Sequence, residues 1–330
     1  MTASSDPVAT LREFVRAKRT GTLVVREGAK IAEVRISFGN IEDASLPGAT
    51  GEKALYRALG FAGATWTFEP RTSGTRRIRT PSEQILSAAP RVLSELESLR
   101  AAFPDAHERP LLAIEVDPTL PLAISTSGRA LLVHLRGPIL LGDLLDRVPA
   151  SDVEILTAVR ELKETGRVRF LASPKVRVPL GTPEELAKLV RSVERRARTQ
   201  IGPAVRIVVA GSPHRLAVIA HGALCLEGAS PSPQPAPLVP MPLSVTHLPL
   251  HDRQLEVALC PLVPAYSPLW PMAMKGAFAV VLIDEAAEHL VDQACDAAGL
   301  RPWGVRELMA TYDPTSVADI AKLLTRALGL

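Results

Sequence analysis

The stretch Val205-Arg-Ile-Val-Val-Ala-Gly211-Ser-Pro-His-Arg-Leu-Ala-Val218 decides how the second half of this chain is read. Val205 to Ala210 is a short, mostly β-branched apolar run closed by a glycine, the pattern of a strand buried on both faces. Leu255 to Leu259 and Ala277 to Ile283 repeat that pattern, and Gly304 to Leu308 reads as a fourth strand. Helices are expected from about Ala286 to Ala298 and from Ser316 to Ala327. Strands alternating with helices predict a parallel sheet with crossover helices over residues 204–330.

Upstream, Pro183 to Thr199 reads as a connector helix within 179–203. Its basic residues Lys188, Arg191, Arg195, Arg196 and Arg198 face Glu184, Glu185 and Glu194, the composition of a solvated helix with stabilising i,i+4 pairs. Arg195, Arg196 and Arg198 are its candidates for contacting a partner.

Residues 104–178 carry three short helical patterns, Ser125 to Leu135, Leu140 to Arg147 and Ser151 to Thr165. Ser151 with Glu154 three residues on is a capping box. Gly166 stops that helix, and Arg167 to Leu171 alternates like a strand. Three helices and a β-wing resemble a winged helix. The third helix carries Asp152, Glu154, Glu161 and Glu164 against Arg160 and Lys163, four acids to two bases, a net of −2. A recognition helix must approach phosphates, and this one would be repelled by them. Packing or dimerisation is therefore the expected role, with a DNA-binding transcription regulator as the alternative; Arg167, Arg169 and Lys175 on the wing offer partial compensation.

In residues 1–103, Val8, Leu11, Phe14 and Val15 recur with a helical period. Alternation then sets Leu23 and Val25 against Thr22, Val24 and Arg26. Ile31, Val34 and Ile36 continue as a strand, and Gly39-Asn40 marks a hairpin before Ile41. A short helix is expected over Glu52 to Leu59, a strand over Ala64 to Phe68, and a helix from Pro81 to about Ala101. The set Thr20-Gly21-Thr22-Leu23, Ile36-Ser37-Phe38-Gly39-Asn40-Ile41, Ala44, Gly51-Glu52-Lys53-Ala54-Leu55, Gly63, Trp66 and Phe68 resembles the PATAN domain of bacterial signalling proteins. The resemblance covers about the first hundred residues. It implies a non-catalytic module that engages other signalling proteins. Gly39 and Gly51 read as backbone-geometry positions, and Trp66 and Phe68 as core.

The segment from Ala204 onward is similar to a small Ras-like GTPase. The similarity rests on the first strand with Gly211, on Trp270, on Lys275-Gly276-Ala277 leading into a strand that ends at Asp284, and on Asp313-Pro314-Thr315-Ser316-Val317. Read as a phosphate loop, the motif requires G-x-x-x-x-G-K-[ST]. Its glycines let backbone N–H groups wrap the phosphates, its Lys reaches the β and γ oxygens, and its hydroxyl holds Mg²⁺. From Gly211 the chain reads GSPHRLAV, so Leu216 stands for the second Gly, Ala217 for the Lys and Val218 for the hydroxyl. Pro213 removes a further N–H donor. Cys260-Pro261-Leu262-Val263 stands where an Asp-x-x-Gly motif is expected. Ala310-Thr311-Tyr312-Asp313 stands where guanine is read, with Asp313 as the one vestige. The switch region is proline-rich, and Pro233, Pro235 and Pro237 form an extended candidate ligand for a partner.

Other chemistry finds less support. His247, His251 and Asp252 lie close in sequence but lack a third well-spaced metal ligand. His214 and His221 could share a helix face without a nucleophile or acid nearby. Ser212 lacks the nucleophile elbow.

The bulk properties bound the reading. The chain has 330 residues, enough for two or three domains. Its formal charge of +3 argues against a dominant nucleic-acid or anionic-membrane footprint. Its cysteines, Cys225, Cys260 and Cys295, are odd in number and far apart, which fits a reducing cytoplasm. No apolar stretch reaches membrane-span length.

The expectation is therefore a cytoplasmic, multi-domain α+β and α/β protein. It comprises a PATAN-like α+β domain (1–103), a winged-helix-like domain (104–178), a connector helix (179–203) and a three-layer Ras-like pseudo-GTPase (204–330). It is read as a non-enzymatic adaptor needing no cofactor and no metal. Its expected partners are other signalling proteins, a true small GTPase or its regulator among them, with no membrane insertion and no nucleic acid. A GTPase with an atypical phosphate loop is the remaining alternative.

Overall fold

The computed structural model describes residues 6–70, 75–113, 124–135, 137–173, 175–196, 204–231, 243–284 and 288–329. The chain is a mixed α+β protein that divides into two compact units. The first comprises residues 1–107, 113–134 and 141–169; the second comprises 108–112, 135–140 and 170–330. The span 104–178 is thus divided between the two.

The first unit holds a five-stranded antiparallel sheet in the order β4-β3-β2-β1-β5. Its strands are β1 (Gly21–Glu27), β2 (Lys30–Ser37), β3 (Asn40–Leu46), β4 (Ala49–Thr50) and β5 (Thr65–Glu69). Leu23 lies between Val34 and Phe68, and Val25 between Ala32 and Trp66. Alternate residues therefore present one apolar face. That face is covered by α1 (Pro7–Arg16), α2 (Gly51–Leu59) and α3 (Ser82–Ala101), through Leu11, Val15, Ala54, Leu55, Ile85 and Leu86. The expected N1 proline of α3 is one place earlier: Pro81 is its extended N-cap residue.

The same unit contains α4 (Thr126–Leu132), α5 (Leu141–Arg147) and α6 (Asp152–Glu164). Both halves of the capping box form: Glu154 N–H donates to the Ser151 hydroxyl, and the Glu154 carboxylate accepts from Ser151 N–H. Two short strands, β6 (Leu111–Ala113) and β7 (Val168–Phe170), lie where the chain passes from one unit's segments to the other's. In the second unit Leu111 exchanges backbone hydrogen bonds with Ile139 at 2.7 and 3.0 Å, and Leu171 N–H donates to the Pro110 carbonyl at 2.8 Å.

The rest of the second unit begins with α7 (Pro183–Arg196) and β8 (Ala204–Gly211). Then come α8 (Pro213–Leu224), β9 (Ser230–Pro231), β10 (Leu243–Leu250), β11 (Arg253–Pro261) and α9 (Trp270–Met274). The chain closes with β12 (Ala279–Leu282), α10 (Glu288–Ala297), β13 (Pro302–Gly304), α11 (Val305–Leu308) and α12 (Val317–Gly329). The strands form one sheet in the order β13-β12-β8-β11-β10-β9. β8 is parallel to β11 and β12, β12 is parallel to β13, and β10 is antiparallel to β11.

Successive strand residues bury on opposite faces. Ile207, Val209, Val257 and Val281 pack with Val193, Leu216, Ile219, Ile320 and Leu324. Val208, Ala210, Cys260, Val280 and Leu282 pack with Trp270, Met274, Val291 and Cys295. A sheet with helices on both faces explains why these strands read as unbroken apolar runs.

One predicted strand is corrected. Gly304 to Leu308 splits into the end of β13 and the single turn α11. Val305 and Leu308, three apart, share a helical face and are both buried in the core. No helix among the described residues is long and apolar enough to cross a membrane.

Candidate functional site

The C-terminal end of β8 is where a nucleotide loop would sit, because ligands of parallel sheets collect at that edge. Here no loop intervenes. β8 ends at Gly211, Ser212 is the N-cap, and Pro213 opens α8. The residues aligned with a phosphate loop are therefore helical. Leu216 is buried in the core, Val218 packs with Leu112 and Leu171, and Ala217 is half-buried. Leu216 and Val218 are thus packed in the core rather than set at the sheet edge.

Packing leaves no room for a side chain at Gly211. A Cβ there would run into the side chain of Ile283, just past the end of β12. The glycine lets the end of β8 approach that neighbour closely.

The N-terminus of α8 already holds an anion. The Asp284 carboxylate accepts the Ser212 N–H and pairs with Arg215 at 2.7 Å. Arg215 also donates to the Ile283 carbonyl at 2.9 Å. A helix N-terminus favours negative charge, and this one satisfies that preference internally. An incoming phosphate would meet a carboxylate on the N–H group it needs. Sequence reading placed Asp284 at the strand end and Arg215 beside the glycine position. It missed their pairing, since the two are far apart along the chain.

The residues expected from the Ras-like resemblance at the guanine and metal sides are also engaged within the chain. The Asp313 carboxylate accepts Thr315 N–H at 2.9 Å and Thr315 Oγ1 at 2.7 Å, an Asx turn ahead of α12. Neighbouring Tyr312 is half-buried, and burial together with Asp319 and Asp313 pushes its phenol well above the usual range. Cys260 is buried, its thiol pushed up to about 12 by burial, with Cys295 adding to the shift. Leu262 N–H donates to the Gly211 carbonyl.

Of the remaining sequence candidates, His247, His251 and Asp252 lie along the β10–β11 hairpin and line an open cleft with Gly228 and Ser230. Among the described residues no group of three His, Cys, Asp or Glu side chains could hold a metal ion. His221 Nε2 lies 2.8 Å from the Ala172 carbonyl and 3.9 Å from Cys225 Sγ. Burial raises that thiol's pKa, so the pair is no activated nucleophile. Arg195 is exposed, and its Nε donates to the Arg191 carbonyl. Arg196 ends α7; Arg198, Pro233, Pro235 and Pro237 lie outside the described residues.

In the first unit, α6 is buried along one side through Ile155, Leu156, Val159 and Leu162 and packs against both α3 and α4. Glu161 on it accepts the Ser125 N–H at 2.6 Å and the Ser125 hydroxyl. Its N-terminus is occupied too. Asp152 takes a bidentate pair from Arg57 of α2, and Lys53, one turn earlier, lies 3.6 Å away. Lys53 also donates to the carbonyls of Leu145 and Val148, which cap the end of α5. Burial lowers the Lys53 pKa. The i,i+4 spacing of Lys53 and Arg57 was visible in the sequence, but their acidic partner about a hundred residues away was not.

No protein-family model matches this chain, and no curated protein and no solved structure matches it.

Proposed function

We propose that the chain is a non-catalytic signalling adaptor acting through protein–protein contacts. In this reading residues 204–330 are a pseudo-GTPase: a Ras-like frame kept as a binding body, with nucleotide chemistry lost. The strand order β13-β12-β8-β11-β10, with β10 alone antiparallel, supports the Ras-like part. The five-stranded antiparallel sheet under α1 to α3 supports the PATAN-like part of 1–103, and the α4–α5–α6 sequence supports the winged-helix-like part. The partners are other signalling proteins, a true small GTPase or its regulator among them. The fold alone implies none of this activity.

The observation that carries the reading is the Asp284 carboxylate on the Ser212 N–H, held by Arg215, at the point where phosphates would bind. Titration calorimetry with GTP and Mg²⁺ is the test. No heat of binding is expected, and micromolar affinity would overturn the pseudo-GTPase assignment. Duplex DNA is not the partner in this reading, since α6 is acidic and packed against α3 and α4. A steep salt dependence of binding to random duplex would reverse that conclusion.

A further inference from the structure

We infer that the tip formed by Arg16, Lys18, Arg19 and Phe38 is the docking surface for an acidic protein segment carrying an apolar anchor residue. The inference rests on the adaptor reading and names the chemistry of one partner.

Phe38 is 77% exposed, the most exposed large hydrophobic side chain among the described residues. It also has φ +47°, at the tip of the β2–β3 hairpin, followed by Gly39 at φ +78°. Two consecutive positive φ values define the turn type that favours Asn-Gly or Gly-Gly. A phenyl ring there carries both backbone strain and hydration cost.

The adjacent residue is unusual in the same way. Lys18 follows the C-cap of α1 at φ +48°, a place where glycine is usual. The two turns are tied together. Phe38 N–H donates to the Thr20 hydroxyl at 2.9 Å, and Gly39 N–H donates to the Arg19 carbonyl at 3.1 Å. The phenyl and the end of α1 therefore present one surface.

Arg19 is fixed on that surface. Its guanidinium lies 5.9 Å from the centroid of Phe14 and 5.6 Å from that of Phe68, two rings stacked at 5.3 Å. Both rings lie within cation–π reach of that guanidinium. Arg16, Lys18 and Arg19 are all exposed, and none makes an ion pair among the described residues. Three exposed cations on the turn that is hydrogen-bonded to the Phe38 hairpin complement a segment with carboxylates and one apolar side chain. The planar guanidinium of Arg19 suits bidentate capture of a carboxylate, a geometry that a fluid lipid surface does not require.

The test uses the full chain as bait for a random dodecapeptide library at roughly 150 mM salt. Enriched peptides should be net acidic with one aromatic or leucine residue. A synthetic copy should lose about tenfold or more in affinity against Phe38→Ala and against Arg19→Ala, both checked for unchanged thermal unfolding. Met272→Ala, at an exposed apolar residue elsewhere, should bind like the parent.

Failure to enrich acidic peptides, or peptides that bind both variants as well as the parent, would sink this surface. The pseudo-GTPase assignment would survive, because it is tested separately by calorimetry. Binding to phosphatidylserine-containing vesicles that is lost in Phe38→Ala, without peptide binding, would overturn the protein-segment assignment in favour of a lipid.

Discussion

Arg57 and Asp152 form a bidentate pair, Nε to Oδ2 at 2.7 Å and Nη2 to Oδ1 at 2.9 Å, with Asp152 only 4% exposed. The pair joins α2, beside the N-terminal sheet, to the first residue of α6. Asp152 there also meets the positive end of the α6 dipole. Without Asp152, Lys53 is left buried with no ion pair among the described residues, and Arg57 keeps only the more exposed Asp146, to which its Nη1 also donates. Asp152→Ala should therefore lower unfolding free energy by about 3–5 kcal/mol in urea titration. Asp146→Ala should cost under about 1 kcal/mol, because Asp146 is 45% exposed. Equal effects from the two variants would show that the buried pair is not the anchor.

Gly211 should not tolerate a methyl group. Its Cβ would overlap Ile283, so Gly211→Ala should destabilise by about 1–3 kcal/mol through overpacking. Trimming the neighbour in Gly211→Ala/Ile283→Ala, which removes both overlapping atoms, should show favourable coupling in a double-mutant cycle. If the two changes prove additive, the glycine is not kept for this contact.

Phe38→Asn should raise stability by roughly 1 kcal/mol, since Asn accepts positive φ more readily than an aromatic residue. The same change should abolish acidic-peptide binding. A variant that is more stable yet no longer binds would mark the strain as retained for contact. Thermal unfolding and peptide titration on one sample decide it.

Acid should weaken the first unit through α6. Hydrogen bonds from the Ser151 side chain and backbone hold Glu154 below its ordinary 4.5, and those from Ser125 hold Glu161 below it. Folded values below unfolded ones contribute stability that is present above about pH 4.5 and lost as pH falls through the lowered values. Unfolding measured from pH 7 downward should steepen in that window, and Ser125→Ala/Ser151→Ala should flatten it. An unchanged slope in the double variant would assign the acid sensitivity elsewhere.

Local pattern carried much of this structure. The capping box at Ser151 and Glu154, the hairpin at Gly39 and the buried runs of β8, β11 and β12 depend on neighbours within a few residues, so periodicity and turn chemistry announce them. α11 escaped because a single turn is too short to show a period, and Val305 reads as a strand former. β10 and the immediate start of α8 escaped because Pro249 and Pro213 resemble loop residues when seen without their hydrogen-bonded neighbours.

The sequence by itself determined that Leu216, Ala217 and Val218 lack the glycine, amine and hydroxyl that a phosphate loop needs. Side-chain chemistry is fixed by residue identity, whatever the fold does. Only the tertiary structure decided what stands in the loop's place. The carboxylate of Asp284 reaches the Ser212 N–H because parallel pairing of β8 with β12 brings together residues some seventy positions apart. The same holds for Arg57 with Asp152 and for Gly39 with Arg19. Each is a contact between segments whose local patterns carry no mark of one another, and chain packing alone sets their distance.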